Sequence, residues 1–166
     1  MAWLGIGSLP PARAAWLRSQ GARVGEGCWI CTDEFVNEPY LLQLGDRVGV
    51  GFGTSFVTHE GSPDPDDLAG VYGPITVGDN TSIGCHCVLL PGTSIGRNCV
   101  VASGSVVQGT FPDGSVVAGN PARVVGTTAA ALERPPENTQ RLKIHDLPAP
   151  ERERVLRERF GLPPKR

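Results

Sequence analysis

The sequence predicts an all-β fold in which short strands and turns alternate along the chain, and two observations carry this prediction. The 166 residues include 22 Gly and 15 Pro, close to twice the usual share, which excludes a long helical bundle. Aliphatic residues also recur at every sixth position, and a six-residue period fits neither a helix nor one continuous alternating strand. The pattern instead indicates a parallel β-helix solenoid. The recurring residues are Val77, Ile83, Leu89, Ile95, Val101 and Val107.

A second position in each six-residue repeat is small, and we expect both positions to face the inside of the coil. The small residue is the fifth of each repeat, and it fails only at Phe111. An upstream series shows the same period, with two residues inserted between Val36 and Leu44. The first half is therefore predicted to be a looser copy of the second. The small residues are Thr81, Cys87, Thr93, Cys99 and Ser105.

The segments on either side of the repeat have a different character. Residues 12–20 lie between two prolines and Gly21, which predicts a short helix that caps the first coil with Trp16 and Leu17. A charged helix is expected over 151–160. The predicted organisation is a cap helix over 1–23, a repeat domain over 24–126 with a loop at 60–73, and a C-terminal extension with a helical tail over 127–166.

Composition excludes several classes of partner. The net charge of −2 offers no electrostatic footprint for nucleic acid or an anionic membrane. The sequence has no apolar run long enough to span a membrane and no signal peptide at its start, so a cytoplasmic protein is expected. Five cysteines, an odd number without an export signal, make a disulfide framework improbable.

Two stretches carry a resemblance to a known family. IGCHCVLLPGTSIGRNCVVASGSVVQGTFPDGSVVAGNPARVVG, from Ile83 to Gly126, resembles the hexapeptide-repeat acyltransferases. EPYLLQLGDRVGVGFGTSFVTHEGS, from Glu38 to Ser62, is similar to the members that acetylate sugars during polysaccharide synthesis. The resemblance implies a left-handed parallel β-helix with about three repeats per triangular coil. It also implies a homotrimer that moves an acetyl group from acetyl-CoA, a co-substrate and not a resident cofactor, to a sugar hydroxyl.

His59 is the candidate general base. Imidazole suits proton transfer near neutral pH, and His59 points away from the coil interior just where the repeat breaks into the loop 60–73. The resembling family has its catalytic histidine at this T-H-E position. His86 also points outward but has no counterpart in the family, and His145 lies in the tail.

Two carboxylates are candidates for orienting His59. The two inserted residues lengthen the coil that begins at Val36 to about 20 residues, which places Glu38 beneath Thr58 and within reach of the imidazole. Glu60 is the rival by adjacency, although neighbouring residues of an extended chain point to opposite sides. The residues also leave open that neither carboxylate plays this part.

The resemblance implies that acetyl-CoA binds between adjacent subunits of the homotrimer. It implies that Cys85 and Ser103 line the pantetheine arm, with Gly104 and Gln108 beside them, and that Arg123 lies near the CoA phosphates. Gln108 and Gly109 stand where the family has Thr-Lys, which removes a phosphate-binding cation. Arg97 is a candidate substitute.

A metal site and a cysteine nucleophile have less support in the sequence. Cys28, Cys31 and the triplet 85–87 have thiol spacing reminiscent of zinc sites, but Cys28 and Cys87 are predicted to point inward, so no metal site is predicted. A Cys85 nucleophile beside His86 is disfavoured because neighbours in a strand face opposite sides. Two alternative functions remain open, an N-acetyltransferase acting on a nucleotide-linked amino sugar and a non-catalytic scaffold.

Overall fold

The computed structural model describes residues 10–32, 36–61, 69–133, 137, 139, 142–144 and 147–163. The chain divides into two units, Met1–Glu133 and Arg134–Arg166. Residues 62–68 of the predicted loop, much of the segment 134–150 and His145 lie outside the described residues. None of the helices in the described ranges is long and apolar enough to cross a membrane.

The described part of the first unit contains sixteen strands of two to six residues each. Their shortness follows from the six-residue repeat, which leaves room for one short strand before each turn. In chain order they are β1 (Arg23–Val24), β2 (Trp29–Ile30), β3 (Leu42–Leu44), β4 (Gly49–Val50), β5 (Ser55–Phe56), β6 (His59–Gly61), β7 (Gly70–Tyr72), β8 (Ile75–Val77), β9 (Ser82–Ile83), β10 (Val88–Leu89), β11 (Ser94–Ile95), β12 (Val100–Val101), β13 (Val106–Val107), β14 (Thr110–Phe111), β15 (Ser115–Gly119) and β16 (Ala122–Thr127).

Three sheets form the sides of the coil. The first sheet has the order β1-β3-β8-β11-β14, the second β16-β15-β12-β9-β4-β2 and the third β13-β10-β5. From β8 onward the chain visits the three sheets in rotation, and all pairings within them are parallel except that of β15 with β16. The predicted parallel arrangement of short strands with few helices is therefore present.

The register of the stacked strands confirms the predicted coil length. Val77 stacks on Ile95 and Ile83 on Val101, a step of 18 residues. In the lower coil Val24 stacks on Leu44, a step of 20 that contains the predicted insertion.

Phe111 was predicted to be an exception at the small, fifth position of its repeat, but it occupies the aliphatic position instead. It stacks on Ile95, 16 residues earlier, and it is buried like the other aliphatic residues of the series. The last coil is two residues shorter than its neighbours, which shifts the repeat frame and brings Phe111 into the inward position.

The core has the predicted composition. Every aliphatic leader from Val77 to Val107 is buried, and so is every small residue of the fifth position. Two of the buried threonines donate hydrogen bonds to backbone carbonyls of the next coil: Thr54 Oγ1 to Gly84 O at 2.7 Å and Thr81 Oγ1 to Gly96 O at 2.8 Å. The hydroxyls are thus satisfied inside an otherwise apolar interior.

Helices flank the coil. Helix α1 (Pro10–Ser19) begins at the predicted proline and packs against β1 and β2. Its buried residues are Ala14 and Leu17, whereas Trp16 is 41% exposed. The expectation that Trp16 caps the coil was wrong, because residues three apart share a helix face and Trp16 lies off that face.

The upper end of the coil also differs from expectation. Parallel stacking does not continue to residue 126, because β16 folds back antiparallel along the edge of β15. Helix α2 (Thr128–Glu133) then follows. Folding back pairs the open edge of β15, an edge that would otherwise remain free to pair with another chain. In the second unit, α3 (Ala149–Arg159) is the predicted charged helix.

Glycines mark the corners because the next coil passes very close to them. A Cβ added to Gly78 would lie 2.6 Å from the backbone nitrogen of Arg97 and 2.7 Å from the carbonyl carbon of Gly96. These are backbone atoms of the coil above, so they cannot rotate away as a side chain would. The close stacking of the coils therefore requires glycine at this corner.

Gly78→Ala is expected to destabilise the protein by about 1–3 kcal/mol, because the added methyl group must push two coils apart. Urea unfolding followed by circular dichroism measures this change. Gly126→Ala is the matched control, because a Cβ there meets no atom within 4 Å. Equal midpoints for the two variants would contradict the packing argument.

Candidate active site

The chain makes an excursion from the coil just after β5. Val57 N still donates to Leu89 O at 2.8 Å, and Gly73 N donates to Thr58 O at 3.0 Å where the chain returns. Between these residues β6 and β7 form an antiparallel pair outside the coil. His59 is the first residue of β6 and lies just beyond the C-terminal end of β5, where the strands of the third sheet end.

Glu38 approaches His59 from the coil below. Its carboxylate Oε2 lies 3.0 Å from His59 Nδ1 and also accepts a hydrogen bond from the hydroxyl of Thr58. Thr58 is buried, while the side chains of His59 and Glu38 are 32% and 15% exposed. The contact that the predicted 20-residue step places between Glu38 and this corner is therefore present.

The electrostatics of the pair favour an ionised carboxylate. The hydroxyl of Thr58, followed by the imidazole of His59, lowers the pKa of the Glu38 carboxyl below its ordinary value. An ionised carboxylate at Nδ1 favours the tautomer that carries its proton on that nitrogen. Nε2 is then the imidazole nitrogen available to accept a proton.

Sequence reasoning missed two residues of this site. Tyr72 of β7 stacks on His59, with ring centroids 5.0 Å apart and an interplanar angle of 28°. Thr58 belongs to the quoted T-H-E motif, but its bond to Glu38 was not foreseen. The register that placed Glu38 beneath Thr58 contained that signal, whereas nothing in the six-residue repeat indicated that β6 pairs with β7.

Glu60 lies apart from this arrangement. It follows His59 in β6, where its cross-strand neighbour is Val71, and its side chain is exposed. Consecutive side chains of a strand point to opposite faces. The structure thus brings Glu38 to His59 and directs Glu60 away from the face on which His59 meets Tyr72.

Three of the residues predicted to bind CoA lie together at the corner between the second and third sheets. Ser103 Oγ accepts a hydrogen bond from Cys85 N at 3.1 Å, and Gly104 N donates to Cys85 O at 2.9 Å. Ser103 and Gly104 are exposed, and Cys85 is half-buried. Cys85 and Ser103 thus form one continuous outward column across two coils.

Arg123 lies toward the same corner: it is exposed on β16, opposite Ala118, which directly follows the Val117 that stacks on Val101. Its Nη1 donates to Ala122 O at 2.7 Å. Gln108, by contrast, follows β13 at the far end of the third sheet.

Arg97, the candidate substitute for the missing lysine, lies at the corner between the first and second sheets. Its Nε is 3.2 Å from Asp113 Oδ2, so it is separated from the Cys85 column and already paired.

His86 occupies the same corner as Cys85. It has a positive φ of 54°, and its ring lies over Gly53, where an added Cβ would meet Nδ1 at 2.4 Å. The side chain is exposed, as expected from its place in the repeat.

Within one chain the predicted base and the predicted donor column lie at opposite ends of the third sheet. Cys85 precedes β10, whereas His59 follows β5, and these two parallel strands are hydrogen-bonded neighbours. The strands run in the same direction, so their beginnings and their ends form separate corners. A single chain therefore separates the two groups by the width of the third sheet.

Comparison with known proteins agrees with this architecture. Residues 69–109 match the family model described as bacterial transferase hexapeptide (six repeats). The chain is 34% identical over 138 residues to protein CapG of Staphylococcus aureus, covering 76% of this chain and 78% of CapG.

Solved structures share the fold. A maltose O-acetyltransferase from Clostridium difficile 630 superposes with a TM-score of 0.60 at 22% identity, covering 76% of this chain and 78% of that one. A galactoside acetyltransferase in complex with coenzyme A superposes with a TM-score of 0.62 at 20% identity, covering 84% and 82%.

Proposed function

The chain belongs to the hexapeptide-repeat acetyltransferase family, and on that premise we propose that it transfers an acetyl group from acetyl-CoA to a sugar hydroxyl with His59 as general base. The left-handed parallel β-helix of that family is the proposed scaffold. The observation that carries the proposal is the Glu38–His59 pair at the point where the chain leaves the coil. The sugar acceptor is supported by the neighbours described as maltose and galactoside acetyltransferases.

The proposed reaction is a direct acyl transfer. His59 Nε2 takes the proton of the acceptor hydroxyl while that oxygen attacks the thioester carbonyl carbon. The tetrahedral intermediate then collapses, the carbon–sulfur bond breaks, and the imidazolium returns the proton to the departing CoA thiolate. The carboxylate of Glu38 holds Nδ1–H in place and stabilises the imidazolium between these two steps.

The donor is proposed to lie along the column formed by Cys85 and Ser103, beside Gly104. The exposed corner offers backbone groups and a hydroxyl to a pantetheine arm. Arg123 is the proposed contact for the phosphates, since a guanidinium suits phosphate oxygens. Gln108, at the other end of the third sheet, is proposed to meet the donor from a neighbouring subunit.

A homotrimer is proposed because one chain separates its base from its donor column. The outward residues of the third sheet include Val88, Leu90 and Val106, all half-buried. The outward residues of the first sheet, such as Gln43, Thr76 and Ser94, are polar. An apolar sheet face that repeats on identical chains suits an interface between copies.

His59→Ala is expected to lower the turnover number by about 10²–10⁴, because general-base help acts in the transition state. The affinity for CoA, measured by calorimetry, is expected to stay within about twofold. His86→Ala is the comparison variant, since it removes the other outward histidine of the coil. Normal turnover in His59→Ala together with lost turnover in His86→Ala would show that His59 is not the base.

Glu38→Gln is expected to lower turnover about 10- to 100-fold and to shift the acid limb of the pH–turnover profile to lower pH. The neutral amide no longer stabilises the imidazolium, so the histidine loses its proton at a lower pH. Glu60→Gln is expected to keep both the rate and the profile. Unchanged kinetics in Glu38→Gln would remove that carboxylate from the mechanism.

Light scattering is expected to give about three times the chain mass of 17.5 kDa. Val88→Glu places a charge on the apolar face of the third sheet and is expected to reduce the mass and the activity together. Ser94→Glu, on the polar face of the first sheet, is expected to leave the assembly intact. A monomer that turns over at the full rate would refute the assembly.

A further inference from the structure

We propose that Tyr72 is a positioning residue, whose ring holds the imidazole of His59 against Glu38 and stabilises it when it carries the extra proton. The proposal rests on the proposed role of His59 as general base. It assigns a function to a residue of the excursion that lies outside the repeat. The supporting observations are a cross-strand pairing, a ring contact and a glycine.

The pairing of β6 with β7 sets the two rings side by side. His59 and Tyr72 are direct partners in the antiparallel register, and directly opposite residues have their Cβ atoms close together on one face. Their centroid separation of 5.0 Å and angle of 28° fall in the range of offset-stacked aromatic pairs. The contact is therefore built into the strand register.

Gly70 makes room for this ring. A Cβ added at Gly70 would lie 2.7 Å from Tyr72 Cε2 and 3.2 Å from Cζ. The phenol ring therefore lies along β7, over the α-carbon two residues earlier. No positive φ is recorded at Gly70, so space for the ring, and not backbone conformation, explains the glycine.

Burial does not explain the position of Tyr72. The residue is 60% exposed, so it gains little from the core, yet its ring lies against both His59 and Gly70. Glu38 and Tyr72 restrain different degrees of freedom of the imidazole. The carboxylate restrains Nδ1, whereas the stacked ring restrains the tilt of the imidazole plane. Together the two restraints fix the direction in which Nε2 points.

The face of an aromatic ring is electron-rich and attracts a cation. When His59 takes the proton of the acceptor, Tyr72 therefore stabilises the imidazolium in addition to Glu38. In the described structure the titratable groups at His59 are the Glu38 carboxylate, from the coil below, and the Tyr72 phenol, from β7. Glu60 of the same strand points to the opposite face.

The test compares variants that keep the ring with variants that lose or displace it. Tyr72→Phe keeps the ring and is expected to retain at least half of the turnover number. Tyr72→Leu keeps apolar volume without the ring, and Gly70→Ala displaces the ring without altering it. Both are expected to lower the turnover number about three- to tenfold and to shift the acid limb of the pH profile to lower pH.

Val71→Ala is the matched control, since Val71 is an exposed neighbour on the other face of β7. It is expected to leave both readouts unchanged. A loss in Tyr72→Leu confined to a higher KM for the sugar, with unchanged turnover number and pH profile, would make Tyr72 an acceptor contact and would overturn the proposal. An equal loss in Val71→Ala would show that the effect comes from a less stable excursion, and it would also overturn the proposal.

NMR titration of the His59 imidazole without substrates separates this proposal from the function on which it rests. The titration midpoint is expected to move to lower pH in Tyr72→Leu and Gly70→Ala, and to stay in place in Tyr72→Phe. An unchanged midpoint in Tyr72→Leu would overturn the role of Tyr72 even if His59→Ala is inactive. Normal turnover in His59→Ala would instead overturn the general base, whatever the titration shows.

Discussion

The stacking register of one coil on the next is the constraint on which the rest of this structure depends. Backbone groups of each strand are satisfied by the coils above and below, as where Ser82 N donates to Cys99 O and Gly84 N to Val101 O, both at 2.9 Å. A coil can change length only between its strands, at a corner or through an excursion, so that the inward side chains of each strand stay inward. The lower coil gains two residues and the last coil loses two. Both changes preserve the alternation.

The two-residue insertion has a chemical consequence. It raises the Glu38 carboxylate to the level of Thr58, whose hydroxyl bonds to it. Thr54 and Thr81 occupy comparable inward positions, but their hydroxyls bond to backbone carbonyls. The buried hydroxyl of Thr58 thus holds the Glu38 carboxylate instead of a backbone carbonyl. The same hydrogen bond lowers the pKa of Glu38 and keeps it ionised beside His59.

Much of the coil could be predicted from the sequence because its interior imposes a strict period. Counting residues between repeats sufficed to place Glu38 at His59, because stacked backbones leave no freedom of register. Phe111 could not be placed by the same counting, since the shortening of the last coil lies between Val107 and Phe111 and carries no signal of its own. The prediction that Trp16 caps the coil was wrong for a different reason. Its burial depends on which face α1 presents to the coil, and Ala14 and Leu17 lie on that face.

The excursion was the least predictable part of the site. The antiparallel pairing of β6 with β7 lies outside the repeat, so neither Tyr72 nor the reason for Gly70 follows from periodicity. Gly70 shows why a glycine in a loop is ambiguous in a sequence. At Gly78 a backbone passes too close for a side chain, whereas at Gly70 the nearby atoms belong to an aromatic side chain. The amino acid is the same, but the first glycine serves packing and the second leaves space beside the candidate base.

In a coil with a filled interior, any functional side chain must lie on the outer surface. This constrains how copies of the chain can associate to form a site. The interior is filled by aliphatic and small residues, so no substrate can enter between the sheets. Functional side chains must instead project from the corners, and two corners of one coil face away from each other across a sheet. The Cys85 column and the Glu38–His59 pair lie on such corners. For the proposed reaction they must meet at one acetyl group, so the corner of one chain has to face the other corner of a second copy. The apolar outer side of the third sheet lies between these two corners and is the surface through which such a meeting is proposed to occur.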